Sequence, residues 1–219
     1  MNLAVLCDFD GTVVNIDTAE FILENFTNEN WQQFDTQLEK GEITLEECMQ
    51  KQYAMIKTPK AELLKRLEQV TTFRPHFNKF VFFCQKRDIP LTIVSAGLDF
   101  CIEHFLTLNG WNNLIKVYSA ETRFTDNGFE LIFPKMIDKI SKDFKADLIN
   151  FYQQQYKRVI YIGDGLSDYN AVRQANFSFV VKGTKLVDLC KREKIAHQEI
   201  EDFQEILESL EHSLEVGLT

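Results

Sequence analysis

The sequence predicts an α/β protein: a doubly wound parallel sheet with a small α-helical unit inserted after the first strand. Three observations carry this expectation. Apolar runs of strand length alternate with helical patterns along most of the 219 residues. Three of those runs end in polar side chains, as strands do when they deliver groups to one edge of an open α/β sheet. Between the first run and the second lies a stretch of roughly 55 residues with helical periodicity and no strand, far longer than the few residues of an ordinary βα loop.

Leu3-Ala4-Val5-Leu6-Cys7 reads as a strand buried on both faces, followed at once by Asp8-Phe9-Asp10-Gly11-Thr12. Two acids at the end of a core strand are costly to bury without a partner. A cation held between them, with an anion beyond it, resolves the cost. Asn15-Ile16-Asp17-Thr18 reads as a turn and helix cap. Helical spacing then runs through Phe21, Ile22 and Phe26, through Trp31, Phe34 and Leu38, and through Leu45, Met49 and Tyr53. Gly41 interrupts it, and Thr44-Leu45-Glu46-Glu47 reads as a capping box that opens a new helix. A further helix follows Pro59 through Leu63, Leu64 and Leu67. Residues 15–72 are therefore read as an inserted helical unit, and 1–14 with 73–219 as the α/β core.

Beyond the insert, a helix is expected from Arg74-Pro75, then a strand Leu91-Thr92-Ile93-Val94-Ser95 closed by Ala96-Gly97. A helix follows over residues 99–108 and a strand over 115–120. Asn127-Gly128 marks a hairpin turn between residues 122–124 and 129–133. A helix over 144–156 leads to Val159-Ile160-Tyr161-Ile162-Gly163, which ends in Asp164. A strand over 177–181 and two terminal helices complete the pattern.

The net charge of −9 argues against nucleic acid and anionic membrane as partners, because both are bound through basic surfaces. Acids interrupt the N-terminal apolar run at once, and no segment reaches membrane length, so neither a signal peptide nor a span is expected. The five cysteines are odd in number and lack C-x-x-C spacing, which suits reduced core thiols and a cytoplasmic setting. The sequence fixes no oligomeric state.

Asp8-Phe9-Asp10-Gly11-Thr12, Ser95, Lys145 and Gly163-Asp164-Gly165-Leu166-Ser167-Asp168 together resemble the four motifs of the haloacid dehalogenase (HAD) superfamily. The resemblance spans the core and implies a HAD Rossmann-like fold with the helical insert as a C1 cap. It implies a phosphomonoester hydrolase dependent on Mg²⁺, acting on a small-molecule phosphate ester. In that chemistry Asp8 is nucleophile and metal ligand. Asp10 is acid/base and offers its main-chain carbonyl to the metal. Asp164 is the third metal ligand, with Asp168 behind it. Ser95, Ala96 and Gly97 bind phosphate oxygens, and Lys145 supplies positive charge. Lys145 lies nineteen residues before Asp164, as the family's third motif requires; Lys142 is the rival.

The helical insert narrows the resemblance to the phosphoserine-phosphatase-like branch. Trp31, residues 40–47, the 129–133 strand and the Lys145 spacing are most similar to the 2-hydroxy-3-keto-5-methylthiopentenyl-1-phosphate phosphatases of methionine salvage and to related small phosphomonoesterases. Ser95-Ala96-Gly97 departs from the Ser-Gly-Gly of many relatives. Glu20 falls where phosphoserine phosphatases set an acid toward the substrate amine, whereas Arg66 is the one cap candidate for a substrate carboxylate. Phosphoserine hydrolysis and phosphoryl transfer to an acceptor alcohol are the alternatives. A catalytically idle binding protein on the same fold is disfavoured because none of the acids is missing. Asp17 and Glu24 read as a solvated helix face, Trp31 and the insert's Phe residues as its core, and Arg74 as the hinge where the insert returns.

Overall fold

The computed structural model describes residues 2–28, 30–125, 128–137 and 143–215. It begins with β1 (Leu3–Cys7), all five residues of which are buried. Four helices follow: α1 (Thr18–Phe26), α2 (Gln32–Glu39), α3 (Leu45–Tyr53) and α4 (Lys60–Leu67). The chain then alternates through α5 (Phe77–Lys86), β2 (Leu91–Leu98), α6 (Asp99–Leu108), β3 (Ile115–Thr125) and β4 (Gly128–Ile132). It continues with α7 (Phe144–Gln153), β5 (Arg158–Gly163), α8 (Tyr169–Gln174) and β6 (Phe177–Val181). It ends with α9 (Lys185–Arg192), β7 (Gln198–Ile200) and α10 (Phe203–Glu215).

Among the described residues seven strands form one sheet in the order β4-β3-β2-β1-β5-β6-β7. Every pairing is parallel except β3 with β4. The chain therefore starts in the middle and winds outward both ways, which places the ends of β1, β2 and β5 side by side. Alternation along β1 sorts the two cores. Leu3, Val5 and Cys7 join a cluster with residues of α5, α6 and α10, such as Phe80, Phe105 and Phe203. Ala4 and Leu6 join another with residues of α7, α8 and α9, such as Ile149, Val172 and Leu186.

The insert does not fold around a core of its own. Ile22, Leu23, Trp31, Tyr53, Ile56, Leu63 and Leu67 belong to the same continuous cluster as Val13, Val14, Phe77 and Trp111. Its two strands of connection lie together: Val14 bridges Phe73, and Asn15 N–H donates to Thr72 O at 3.0 Å. α3 opens with the capping box read from the sequence, Glu47 N–H to Thr44 Oγ1 at 3.1 Å and Thr44 N–H to Glu47 Oε2 at 2.9 Å. α3 also meets the sheet. Leu131 N–H of β4 donates to Gln50 Oε1 at 3.1 Å, and a Cβ at Gly128 (φ +113°) would meet the Ala54 carbonyl oxygen at 2.5 Å.

Three local expectations differ. β2 does not stop at Ser95 but resumes to Leu98, with a register break against β3 between Val94 and Leu98. The phosphate-loop candidate is thus an irregularity within a strand. β3 runs on through the expected hairpin arm to Thr125. α5 starts at Phe77 rather than Arg74, because Arg74 N–H is bonded to Val13 O and His76 is left-handed at φ 66°. The hairpin turn residues Asp126 and Asn127, and the rival Lys142, lie outside the described residues.

Candidate active site

Asp8 directly follows β1, and its N–H donates to Ile162 O of β5 at 2.9 Å, which fixes it to the strand that leads into Asp164. Lys145, on α7 and 1% exposed, brings its ammonium 3.0 Å from Asp8 Oδ1 and 2.6 Å from Asp168 Oδ1. The Asp8 contact is an ion pair by distance, but no donor is aligned on Oδ1, which stays buried without a hydrogen bond. Burial by itself would lower the Lys145 ammonium; Asp168 and then Asp8 outweigh it and hold Lys145 above its usual range.

Asp168 is wholly buried and fully occupied. Oδ1 accepts from Lys145 Nζ and from the Tyr161 hydroxyl, both at 2.6 Å. Oδ2 accepts from Asp164 N–H at 3.0 Å and Gly165 N–H at 2.9 Å. Its carboxylate lies with those of Asp8 and Asp164 within 4.8 Å. With four donors already on it, Asp168 orients the turn and the lysine, and the coordination capacity lies with Asp8 and Asp164. The Gly163 Cα approaches Asp168 so closely that a Cβ there would lie 2.6 Å from Oδ2.

Asp164 Oδ1 accepts from the Thr12 hydroxyl at 2.7 Å. Asp10 points elsewhere: its Oδ1 takes Thr18 N–H at 2.9 Å and the Thr18 hydroxyl at 2.7 Å, at the start of α1. The Asp10 carboxylate is accordingly not in the three-acid cluster, and any part it takes in holding a cation falls to its backbone. Burial, and after it Asp17, pushes Asp10 up to about 7. Burial likewise raises Asp164 to about 6 against the Thr12 hydrogen bond, and lifts Asp8 well above the usual carboxylate range. Ser95 is 1% exposed, and its Oγ accepts from Gly97 N–H at 2.9 Å, which leaves the hydroxyl hydrogen for a ligand. Gly97 must be glycine here, since a Cβ would collide with the Asp10 carboxylate.

A cavity of about 430 Å³ opens over these groups. Asp8, Asp10, Ser95, Ala96, Gly97, Lys145 and Asp164 line its floor, and Asp17, Glu20, Leu23, Trp31, Asp35, Met49, Gln52 and Tyr53 its insert side. The cavity thus gathers Asp8, Asp10, Ser95, Ala96, Gly97, Lys145 and Asp164 together with Glu20. Trp31 is both core, as expected, and a cavity wall. Asp17 caps α1 through Glu20 N–H and also lines the cavity. Arg66 does not; it donates to Gln69 Oε1 and borders a separate recess. Lys145 is the one cationic side chain among the described lining residues.

Arg74 does more than the hinge expected of it. Its guanidinium donates to the carbonyls of Gly11 at 2.5 Å, Thr12 at 2.8 Å and Glu201 at 2.9 Å. It clamps the loop that holds Asp10 and Thr12 to the point where the insert returns. Thr18, Tyr161 and this role of Arg74 were not legible in the sequence; only their partners' motifs carried a signal.

The donor set suits a divalent cation of the Mg²⁺ kind. Two oxygen-bearing carboxylates converge, both are raised by burial that a cation would offset, and Asp8 Oδ1 lacks a hydrogen bond.

Known proteins fit this frame. A curated relative from Bacillus cytotoxicus, 28% identical over the full length of both chains, is named 2-hydroxy-3-keto-5-methylthiopentenyl-1-phosphate phosphatase. A substrate-bound phosphoserine phosphatase structure superposes with a TM-score of 0.68 at 16% identity, covering 94% of this chain and 97% of that one. A HAD-family hydrolase from Salmonella enterica serovar Typhi gives 0.69 at 21% identity, covering 91% of this chain and 67% of its own. At these identities the two structures share the fold. The pattern that describes the haloacid dehalogenase-like hydrolases matches residues 5–173, the span from β1 through the Asp164 strand to α8, and the chain belongs to that family.

Proposed function

We propose that the protein is a Mg²⁺-dependent phosphomonoester hydrolase of a small metabolite, working through an aspartyl-phosphate on Asp8. The observation that carries this reading is the difference between the two acids that follow β1. Asp8 lies against Lys145 with an unbonded oxygen, whereas Asp10 is held apart by Thr18 at about 7. An Asp8 oxygen forms a bond to phosphorus as the ester P–O bond breaks, and Asp10 gives its proton to the leaving oxygen. In the second half Asp10 takes a proton from water as that water attacks phosphorus and the Asp8–phosphorus bond breaks. A carboxyl near 7 serves both directions at neutral pH. Ser95 O–H, the backbone at Ala96 and Gly97, and Lys145 bind phosphate oxygens. Asp8 and Asp164, with the Asp10 carbonyl, would hold Mg²⁺, which supplies charge neutralisation and orients the phosphate. The helical unit of residues 15–72 acts as the cap, with Glu20 toward the leaving group. The five buried free thiols support a reducing setting such as the cytoplasm, and among the described residues no helix is long and apolar enough to cross a membrane.

The insert wall favours a leaving group without a carboxylate: it offers Asp17, Glu20 and Asp35 but no arginine among the described lining residues. The full-length relative supports a methylthio-ketose phosphate over phosphoserine. The test is phosphate release with Mg²⁺ from methylthio-ketose phosphate, sugar phosphates and phosphoserine. We expect kcat/KM for phosphoserine to be at least about tenfold lower, the worth of ~1.4 kcal/mol of unpaired charge. Phosphoserine as the best substrate would overturn the assignment. Alkyl phosphate formed with an added alcohol would mark a transferase instead.

The metal reading has its own check. Asp164 sits at about 6 in the fold, and burial holds Asp8 well above the usual carboxylate range, against about 3.9 unfolded. Their protonated forms therefore favour the fold, fully below pH ~4, and the Asp164 contribution is lost as pH rises through about 6. A cation needs the ionised forms, so its stabilisation grows across the same window. The rise in Tm on adding Mg²⁺ is expected to be small at pH 5 and several degrees at pH 8, and EDTA should reverse it. An equal rise at both pH values contradicts the assignment of the Asp8 and Asp164 carboxylates as ligands.

A further inference from the structure

Beside the catalytic cavity lies a second one of about 480 Å³ that the reaction outlined above does not use. Its surface is mostly apolar, although Glu46 and Asp143 are also among its lining residues. Leu45 and Met49 of α3 form one wall, and Phe133, Met136 and Phe144 the other, with Ala120 of β3 at its base. The two cavities are neighbours in a specific sense: Met49, Ser95 and Ala96 line both. Ser95 and Ala96 are the residues assigned to the phosphate, so the annex opens directly off the phosphate loop. Two large apolar side chains on it face water, Leu45 at 52% exposure and Met136 at 37%. Neither is buried by the fold, and apolar area left exposed around a concavity has the character of a ligand-binding wall.

From this geometry we infer that the annex is a subsite for an apolar tail on the leaving group, and that Leu45, Met49, Phe133 and Met136 set specificity. The inference rests on the phosphatase reading. The ligand class it names is a phosphate monoester whose alcohol carries a flexible, uncharged chain, alkyl or thioether, long enough to pass Ala96. The methionines suit this, since an unbranched thioether side chain adapts to irregular apolar partners. Continuity with the phosphate loop favours the substrate's own tail over a separate protein partner, which would have to enter beside an occupied catalytic centre.

The experiment is a series of n-alkyl phosphates, ethyl through octyl, assayed with Mg²⁺ alongside p-nitrophenyl phosphate. We expect kcat/KM to climb by up to about fourfold per added methylene once the chain reaches the annex, the factor corresponding to ~0.8 kcal/mol per buried CH₂. Leu45→Glu and Met136→Glu, both at exposed positions that tolerate charge without unfolding, should flatten the climb. A flat series in the unmodified protein, with ethyl and p-nitrophenyl phosphate both hydrolysed, overturns the annex and leaves the phosphatase reading standing. An equally steep series in both variants also overturns it, because the tail then sits elsewhere. No hydrolysis of any ester overturns the phosphatase reading, and the annex with it.

Discussion

Asp8→Asn is expected to lower kcat/KM by at least about 10⁴-fold, the scale on which loss of a covalent nucleophile is felt, with little loss of stability. The two halves of this expectation have different causes. The amide keeps the shape of the carboxylate but cannot attack phosphorus or serve as an anionic ligand. The fold is spared because Asp8 is costly as an ion: burial first, and Asp168 after it, raise its carboxyl well above the usual range. Lys145 keeps its shorter contact, 2.6 Å to Asp168, when the 3.0 Å contact to Asp8 is weakened. Phosphate release and a thermal melt on the same preparation check both parts. Mg²⁺-dependent turnover above about a hundredth of the unmodified protein's would remove Asp8 from the nucleophile's role.

Lys145→Met has the opposite balance and should damage the fold as well as the reaction. Lys145 is the shared counter-ion of two buried acids. Removing one partner of a buried ionic cluster leaves charge uncompensated, at a cost of about 3–5 kcal/mol. The pH dependence follows in sign. Without the ammonium, the folded-state value of Asp8 rises further above the unfolded ~3.9, so the protonated fold is favoured and the ionised one penalised. The loss is therefore largest near pH 7.5 and shrinks toward pH 5. Urea denaturation at the two pH values measures it. A loss below about 1 kcal/mol at pH 7.5 would mean that the cluster is not the electrostatic unit its distances describe.

How much of this was legible beforehand depends on what carries each feature. Strand cores such as Leu3-Ala4-Val5-Leu6-Cys7 are written in contiguous residues, and so is the capping box at Thr44 and Glu47. The meeting of Asp8 with Asp164 follows from parallel strands and needs only their order. The division of labour among the acids does not. Nothing local in the sequence says that Asp168 is saturated by Tyr161, Lys145 and two backbone N–H groups, or that Thr18 turns the Asp10 side chain aside. Those facts are side-chain directions, decided by tertiary packing. The annex was equally hidden, because its walls come from residues 44–49, 95–96, 120, 133–136 and 143–144, five stretches that no periodicity connects. The insert reads as a separate unit in sequence because sequence shows where a strand pattern is missing, not which core its apolar residues join.

The contact between α3 and β4 has a consequence for solubility. β4 is an outermost strand, and an open edge offers unpaired backbone groups to any other extended chain. Here Gln50 takes the Leu131 N–H, and the Ala54 carbonyl crowds Gly128, so α3 occupies the place where a foreign strand would dock. The opposite edge, β7, is only three residues long and gives little purchase. The helical insert therefore guards the sheet as well as walling the cavity. Excising it would leave a core with a sticky flank, prone to edge-to-edge aggregation, rather than a smaller soluble enzyme.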